Sequence, residues 1–254
     1  VSYEERPKQK MGFRDFKISP PKADGPTTLV ALPFVSKQGF MGATTMALIL
    51  GILGGGFRNC KFLFLGDHSQ VSARNAAVDD ALKEGLDYLF FIDSDMDFPV
   101  DTLKRLMAVD ADIACTDMWS RNIPSFRTVM RMAPKDDTGM ARAVPYEGHG
   151  VEEIDICGMA CTLIKTSLLR NLKEKIGPEQ CFTAGRHGED ASFCFIAKEI
   201  GGATIKCDFG ITSGHWGVAR MAGQDWSRDA KNQPMAVANV EMMQRMGAVN
   251  LPKE

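Results

Sequence analysis

Tyr88-Leu-Phe-Phe-Ile-Asp-Ser-Asp95, continued by Met-Asp-Phe-Pro99, is the stretch on which the fold turns. Four large apolar residues, Leu89 to Ile92, give way abruptly to carboxylates at Asp93, Asp95 and Asp97. An apolar run this short and unbroken reads as a strand buried on both faces, the kind found in parallel sheets. Ligands of open α/β sheets gather at the carboxyl edge of such strands. Asp93 and Asp95 share one face of an extended segment, because side chains alternate with period two. Two converging carboxylates repel unless a positive charge sits between them, and a hard divalent cation supplies it. The expectation is a metal at this strand end, bound to a phosphorylated substrate.

The plainer reading is that Asp-rich strand ends make turns and helix caps. Asp97-Phe-Pro-Val-Asp101 has the composition to open a helix. Asp-x-Asp alone is a weak signal, so the surrounding order of elements has to carry the argument.

Upstream, Thr27-Thr-Leu-Val-Ala-Leu-Pro-Phe34 reads as a first strand stopped by Pro33. Gly42 to Ile52 reads as a helix broken by three glycines. Lys61 to Asp67 is a second strand that again ends in a carboxylate. Ser72 to Glu84 has helical spacing, with Ala73, Ala76, Ala77, Ala81 and Leu82 on or near one face. With a helix around Val100 to Val109 the order is β-α-β-α-β-α, which predicts a mostly parallel, Rossmann-like α/β sheet flanked by helices in one domain. Strand ends near Phe34, Asp67 and Asp93 would line one cleft.

Downstream, Asp112 to Cys115 is a further short strand. Met118 to Met132 mixes aromatics with Arg121, Arg127 and Arg131 and holds no acid. Glu153 to Cys157 leads into Gly158, with a helix from about Thr166. Gly188 to Ile200 reads as a helix entered through Glu189 and Asp190. Ala203 to Asp208 is a late strand, followed by Gly214-His-Trp-Gly217. Residues 1–25 form a basic, proline-bearing arm, 26–217 the domain, and 218–254 a helical tail.

Composition sets the outer limits. The chain has 254 residues, 44% hydrophobic and 24% charged, with a net charge of -2, so no global field marks it for nucleic acid or membrane. Its seven cysteines lack the paired spacing of a zinc site; Cys157 and Cys161 read as core, and reduced thiols fit a cytoplasmic protein. The first twenty residues show no signal-peptide pattern, and Met41 to Gly56 reads as a buried helix rather than a membrane span.

Taken together, Ala73-Arg-Asn75, Phe91-Ile-Asp-Ser-Asp95 with Phe98-Pro99, Ile156-Cys-Gly-Met159, Gly188-Glu-Asp190 and Gly214-His215 resemble the nucleotide-sugar-dependent glycosyltransferases of the GT-A fold, in the family-2-like kind common in bacteria and phages. The resemblance covers roughly residues 27–217. It implies transfer of a sugar from a nucleotide diphosphate donor, with uridine diphosphate the first choice, to an acceptor hydroxyl. Pro33 and Phe34 would lie beside the nucleotide base, and Asp67 would contact base or ribose. Arg74 would face the nucleotide. Asp93, with Ser94 beside it, would serve the ribose or the metal shell, while Asp95 and the late His215 would hold the metal. Gly158 would let backbone approach the donor sugar, as a residue without a side chain permits. Asp190 would be the base of an inverting transfer, its pKa helped upward by Glu189. One carboxylate plus one imidazole suits Mn²⁺ better than Mg²⁺.

Each assignment has a plainer counterpart. Asp190 is also a natural helix cap, His215 beside Trp216 a packed core residue, Arg74 a surface ion pair, and His68, His149 and His187 loop residues. For the acceptor, Trp119 and Arg121, with Phe126, Arg127 and Arg131, offer either a solvated segment or a platform for a sugar or anionic acceptor. The acceptor class is a glycan or another hydroxyl compound, with a hydroxylated base in phage DNA a minor option. Two other classes stay open. One is a nucleotidyltransferase using the same aspartates, for which Val35-Ser-Lys-Gln-Gly39 is a thin phosphate loop. The other is a non-catalytic nucleotide-sugar binder, which would not need Asp190.

Overall fold

The computed structural model describes residues 25–34, 59–66, 69–120, 126–177, 180–185 and 188–215. The basic arm, the expected helix at 42–52, the loop at 35–39 and the tail lie outside the described residues, as do Asp67, His68, Arg121 and His187.

The three strands expected in the first half form as read: β1 (Thr28–Phe34), β2 (Cys60–Gly66) and β3 (Tyr88–Ile92). β1 lies between the other two, parallel to both, with Phe34 opposite Gly66 and Ala31 opposite Phe91. Leu89, Phe90 and Phe91 are fully buried, as a strand covered on both faces requires. Between β2 and β3 runs α1 (Gln70–Lys83), started by Ser69, whose hydroxyl accepts from the Ser72 N–H at 3.2 Å. Its small residues Ala73, Ala77 and Ala81 let the helix lie close on the sheet.

After β3 the chain turns and returns as the two-residue β4 (Met96–Asp97), then α2 (Thr102–Ala108) and β5 (Ile113–Met118). Asp101 precedes α2 without a side-chain capping bond. A small excursion follows: β6 (Met130–Met132) and β7 (Ala143–Pro145) pair with each other, and β8 (Val151–Glu153) joins the main sheet. β9 (Cys161–Lys165) runs into α3 (Thr166–Ile176), and α4 (Glu189–Glu199) precedes the long β10 (Ile205–His215).

The main sheet has the order β2-β1-β3-β9-β5-β10-β4. β1, β2, β3, β5 and β10 point the same way, and β9 is inserted against the grain between β3 and β5. This is the mostly parallel, helix-flanked sheet the sequence predicts, with two differences. β9 is a central strand where only a route into the next helix was expected. β10 extends past Asp208 through an irregular register to His215, so Gly214 and His215 belong to the sheet and not to a following loop. Arg105 closes on that irregularity, donating to Asp208 Oδ2 from Nε at 3.2 Å and Nη2 at 2.9 Å. Among the described residues no helix is long and apolar enough to cross a membrane.

Candidate active site

β3 delivers Asp93 to the edge of the sheet where β1, β2, β5 and β10 also end. The Asp93 N–H donates to the Ala160 carbonyl at 2.9 Å, and the Met96 N–H donates back to the Asp93 carbonyl at 3.2 Å. The chain therefore turns tightly through Asp93-Ser94-Asp95, all three half-buried. β4 then pairs antiparallel with the end of β10, setting Gly214 opposite Asp97 and His215 opposite Met96. Asp95 and His215 come from segments far apart in sequence, and the register sets His215 opposite Met96, the residue that follows Asp95.

Arg74 occupies the centre of the site. It is 1% exposed, and its Nη2 lies 3.7 Å from Asp93 Oδ1 and 3.4 Å from Asp190 Oδ1, while Nε lies 3.8 Å from Glu189 Oε1. Nη1 donates to the Met159 carbonyl at 3.4 Å, and the guanidinium stacks over the Phe91 ring at 5.3 Å. Burial on its own would lower the Arg74 pKa, but Asp190, Asp93 and Glu189 outweigh it and the group is held more firmly protonated. Arg74 is thus not a surface ion pair. It is the buried counter-ion that gathers a strand-end aspartate and a helix-start acid pair into one site.

That clustering is unfinished as hydrogen bonding. Arg74 Nε, Asp93 Oδ1 and Asp190 Oδ1 are buried without a hydrogen-bond partner. Three carboxylates around one guanidinium also leave an excess of negative charge. Such a site suits a cation nearby and polar ligand groups within reach.

Asp190 is held from two sides. Gly188, with φ 87°, takes the cap position of α4, so Asp190 is not the cap. Its Oδ2 instead accepts from the Met159 N–H at 3.1 Å. Burial raises its pKa to about 6, with Glu189 and Asp93 adding to the rise and Arg74 and the Met159 N–H opposing it. The route into α4 is fixed by Asn75 of α1. Its Nδ2 donates to the Phe182 carbonyl at 2.8 Å and its Oδ1 accepts from the Phe182 N–H at 3.1 Å. Phe182 in turn stacks on Phe193 of α4 with ring centres 4.2 Å apart. Asn75 was visible in sequence only as part of the Ala73-Arg-Asn75 pattern; its clamp on a segment more than a hundred residues later needs the fold.

Gly158 lies beside Asp190. A Cβ there would stand 3.2 Å from Thr128 Oγ1 and 3.7 Å from Asp190 Oδ2, so this stretch of backbone passes close to the carboxylate. Pro33 and Phe34 end β1 at the same edge of the sheet. Trp119 is half-buried and bridges to Arg127, whose guanidinium lies 5.1 Å from the indole centre. Arg127 reaches Asp117 and Glu147, each at 3.5 Å. Burial raises the Asp117 pKa, with Glu147 adding to the rise while Arg127 and Trp119 oppose it. Arg131 is bound to Glu152 at 3.1 Å and stacks on Tyr146 at 3.6 Å. The acid-free stretch therefore receives its acids from outside itself, and both arginines are already paired, Arg127 largely buried and Arg131 partly exposed. That counts against an anionic platform. The plainer reading of Cys157 and Cys161 as core holds, and all seven cysteines are buried.

Among the described residues no three His, Cys, Asp or Glu side chains form a group able to hold a metal; the His215 side chain lies outside what is described. The surplus negative charge around Arg74 and the pairing of His215 with Met96, next to Asp95, nevertheless fit a cation. A carboxylate with an imidazole is a mixed oxygen–nitrogen set that suits Mn²⁺.

No family model matches the sequence, and no curated protein matches it. Solved structures do. A197 from STIV superposes with a TM-score of 0.50 at 21% identity, over 75% of this chain and 85% of that one. GalNAc-T7 with UDP, GalNAc and Mn²⁺ gives 0.46 at 12% identity, covering 89% of this chain and 52% of that one. S. aureus TarS 1-349 gives 0.40 at 16% identity, covering 71% and 57%. The last two are little over half spanned by this chain. At such identity the likeness to A197 speaks for the fold alone. The mostly parallel, Rossmann-like sheet flanked by helices that the sequence predicts is the one this chain forms.

Proposed function

We propose that the protein is a metal-dependent glycosyltransferase that moves a sugar from a nucleotide diphosphate donor to an acceptor hydroxyl with inversion, Asp190 acting as the base. The observation that carries this reading is the convergence on Arg74 of Asp93 at the strand end and Asp190 at the helix start. A donor-binding edge and a proton acceptor thereby share one site.

In this reading the donor lies along the carboxyl edge, its base beside Pro33 and Phe34 and its ribose toward Asp93 and Ser94. Asp95 and His215 would hold the metal, which when bound neutralises charge on the departing diphosphate. The chain's own groups do the rest. Arg74 fixes Asp93 and Asp190 relative to each other. Gly158 leaves room for the donor sugar beside Asp190. The Asp190 carboxylate takes the acceptor proton, and a pKa near 6 leaves it ionised at neutral pH yet more basic than an ordinary aspartate. Direct attack from the carboxylate side inverts the reacting carbon. Transfer of this kind passes through an oxocarbenium-like state, as in the hydrolytic analogue.

The test is calorimetric titration of uridine and guanosine diphosphates, with Mn²⁺ and with chelator, on the native protein and on Asp95→Ala. Metal-dependent binding that is lost in the variant supports the reading and names the base. Absence of diphosphate binding under every condition overturns it.

A further inference from the structure

A cavity of about 570 Å³ opens beside Asp190 and Gly158. One wall is the β6–β7 hairpin, through Met130, Met132 and Ala143, and the other is α4, through Ala191 and Phe195. Ile156 stands with Gly158 on the lining. Among the described residues the polar side chains on the lining are Asp190, Thr128 and Arg142. Thr128 Oγ1 already donates to the Met118 carbonyl at 3.3 Å, and the Arg142 side chain is 77% exposed and leans toward Asp136 at 3.9 Å.

A sugar ring exposes a hydroxyl on nearly every carbon, and each one buried without a partner costs free energy. This cavity has one carboxylate for one hydroxyl, Arg142 at an exposed rim, and mostly apolar side chains elsewhere on its described lining. Its size lies within the ordinary range for small-molecule sites, roughly 300–1,000 Å³. Two methionines on one wall give it a surface that adapts to flat rings.

Resting on the reading of Asp190 as the base, we infer that the acceptor is an apolar, ring-bearing alcohol that sets its hydroxyl on Asp190 and buries its body between the β6–β7 hairpin and α4. The acceptor is therefore not a free sugar, and the specificity residues are Met130, Met132, Ala191 and Phe195.

The test uses protein labelled with ¹³C at the methionine methyls, assigned through Met130→Leu and Met132→Leu, with no nucleotide and no metal added. The probes are 2-naphthalenemethanol, 2-methylnaphthalene and methyl β-glucoside. The alcohol is expected to shift the Met130 and Met132 methyls saturably, and the glucoside to leave them unmoved at the same concentration. The alcohol should also bind about tenfold tighter than the hydrocarbon, as one hydrogen bond to a carboxylate allows. That advantage should vanish in Asp190→Ala. Ala191→Phe, which fills the cavity, should weaken the alcohol at least tenfold, and Ala143→Leu serves if that variant does not fold. Equal shifts from the glucoside, no shift from either ring probe, or a hydroxyl advantage that survives in Asp190→Ala would overturn the inference. Because donor and metal are absent, a failure here is separate from a failure of diphosphate binding.

Discussion

Arg74 Nη2 stands 3.4 Å from Asp190 Oδ1, and neither Asp190 Oδ1 nor Arg74 Nε has a hydrogen-bond partner. The pair is close enough to attract but is not aligned as a hydrogen bond. With Asp93 and Glu189 on the same guanidinium, one cation holds three acids that would otherwise drive each other apart. Binding geometry and fold stability therefore meet in a single side chain.

Removing that cation should be severe. Arg74→Met leaves three clustered carboxylates without a counter-charge, and breaking a buried pair in this way costs about 3–5 kcal/mol. We expect thermal unfolding to fall by on the order of 10 °C at pH 7.5. Part of the loss should return at pH 5, where Asp190, with its pKa near 6, is largely protonated. Arg74→Lys should recover part of the stability and little of the activity, since an ammonium cannot reach Asp93, Asp190 and the Met159 carbonyl together. Scanning calorimetry at the two pH values checks this.

Asp190→Asn should separate stability from chemistry. A carboxyl whose folded pKa is raised stabilises the fold below its unfolded value, near 3.8, and that contribution is lost as pH climbs through about 6. Above pH 7 the ionised group is therefore a burden, and the neutral amide, which still accepts from the Met159 N–H, should raise the melting temperature by roughly 2–4 °C. The gain should shrink below pH 5. Activity should fall by about 10²–10⁴-fold, the range for a general base. In the native enzyme the rate should rise with pH through about 6, following the ionised fraction of Asp190. A pH–rate profile flat between pH 5 and 7 would remove Asp190 from the role of base.

The parts of this site that sequence reveals are those carried by local pattern. Leu89 to Ile92 breaking into Asp93 and Asp95 marks a buried strand and its ligand edge, because strand burial and strand ending are both written in adjacent residues. Glu189 and Asp190 before an apolar run mark a helix start. β9 was missed because Cys161-Thr-Leu-Ile-Lys165 is five residues long and runs straight into a helix, so no turn signal separates them. The engagement of Arg127 and Arg131 was missed because their partners, Asp117, Glu147 and Glu152, are brought to them by strand pairing and not by sequence spacing. The burial of Arg74 was likewise hidden. An arginine in an alanine-rich helix reads as a solvated residue until the acids of two distant segments are seen to close over it.

Gly158→Ala tests how closely the backbone must approach the donor. The added methyl would meet Thr128 Oγ1 at 3.2 Å, which a small shift of one hydroxyl relieves, so melting should change by less than about 1 kcal/mol equivalent. The cost should fall on substrate, as a rise in donor KM of about tenfold if the sugar passes over this glycine. Adding Thr128→Ser keeps the hydroxyl and Thr128→Ala removes it; if the methyl meets the donor, neither should lower KM again, whereas recovery with Thr128→Ala alone would put the loss on crowding against Thr128. Steady-state kinetics on the two double variants decides between the two.

The thiols offer a test that needs no substrate. All seven cysteines are buried, and burial holds the thiols of Cys60 and Cys161 up at about 12, far from the thiolate that reacts. Cys194 of α4 stands with its sulfur 4.0 Å from that of Cys157, and of the two only Cys157 lines the cavity beside Asp190, so a modifying group on Cys194 would have to part α4 from the sheet. The native protein should therefore react with a bulky disulfide reagent far more slowly than the denatured chain, in which all seven thiols become available. A single thiol that reacts fast in the native state, and that maps to Cys194, would mean that α4 opens readily from the sheet. In that case Asp190 could not be held in the fixed place that proton transfer requires.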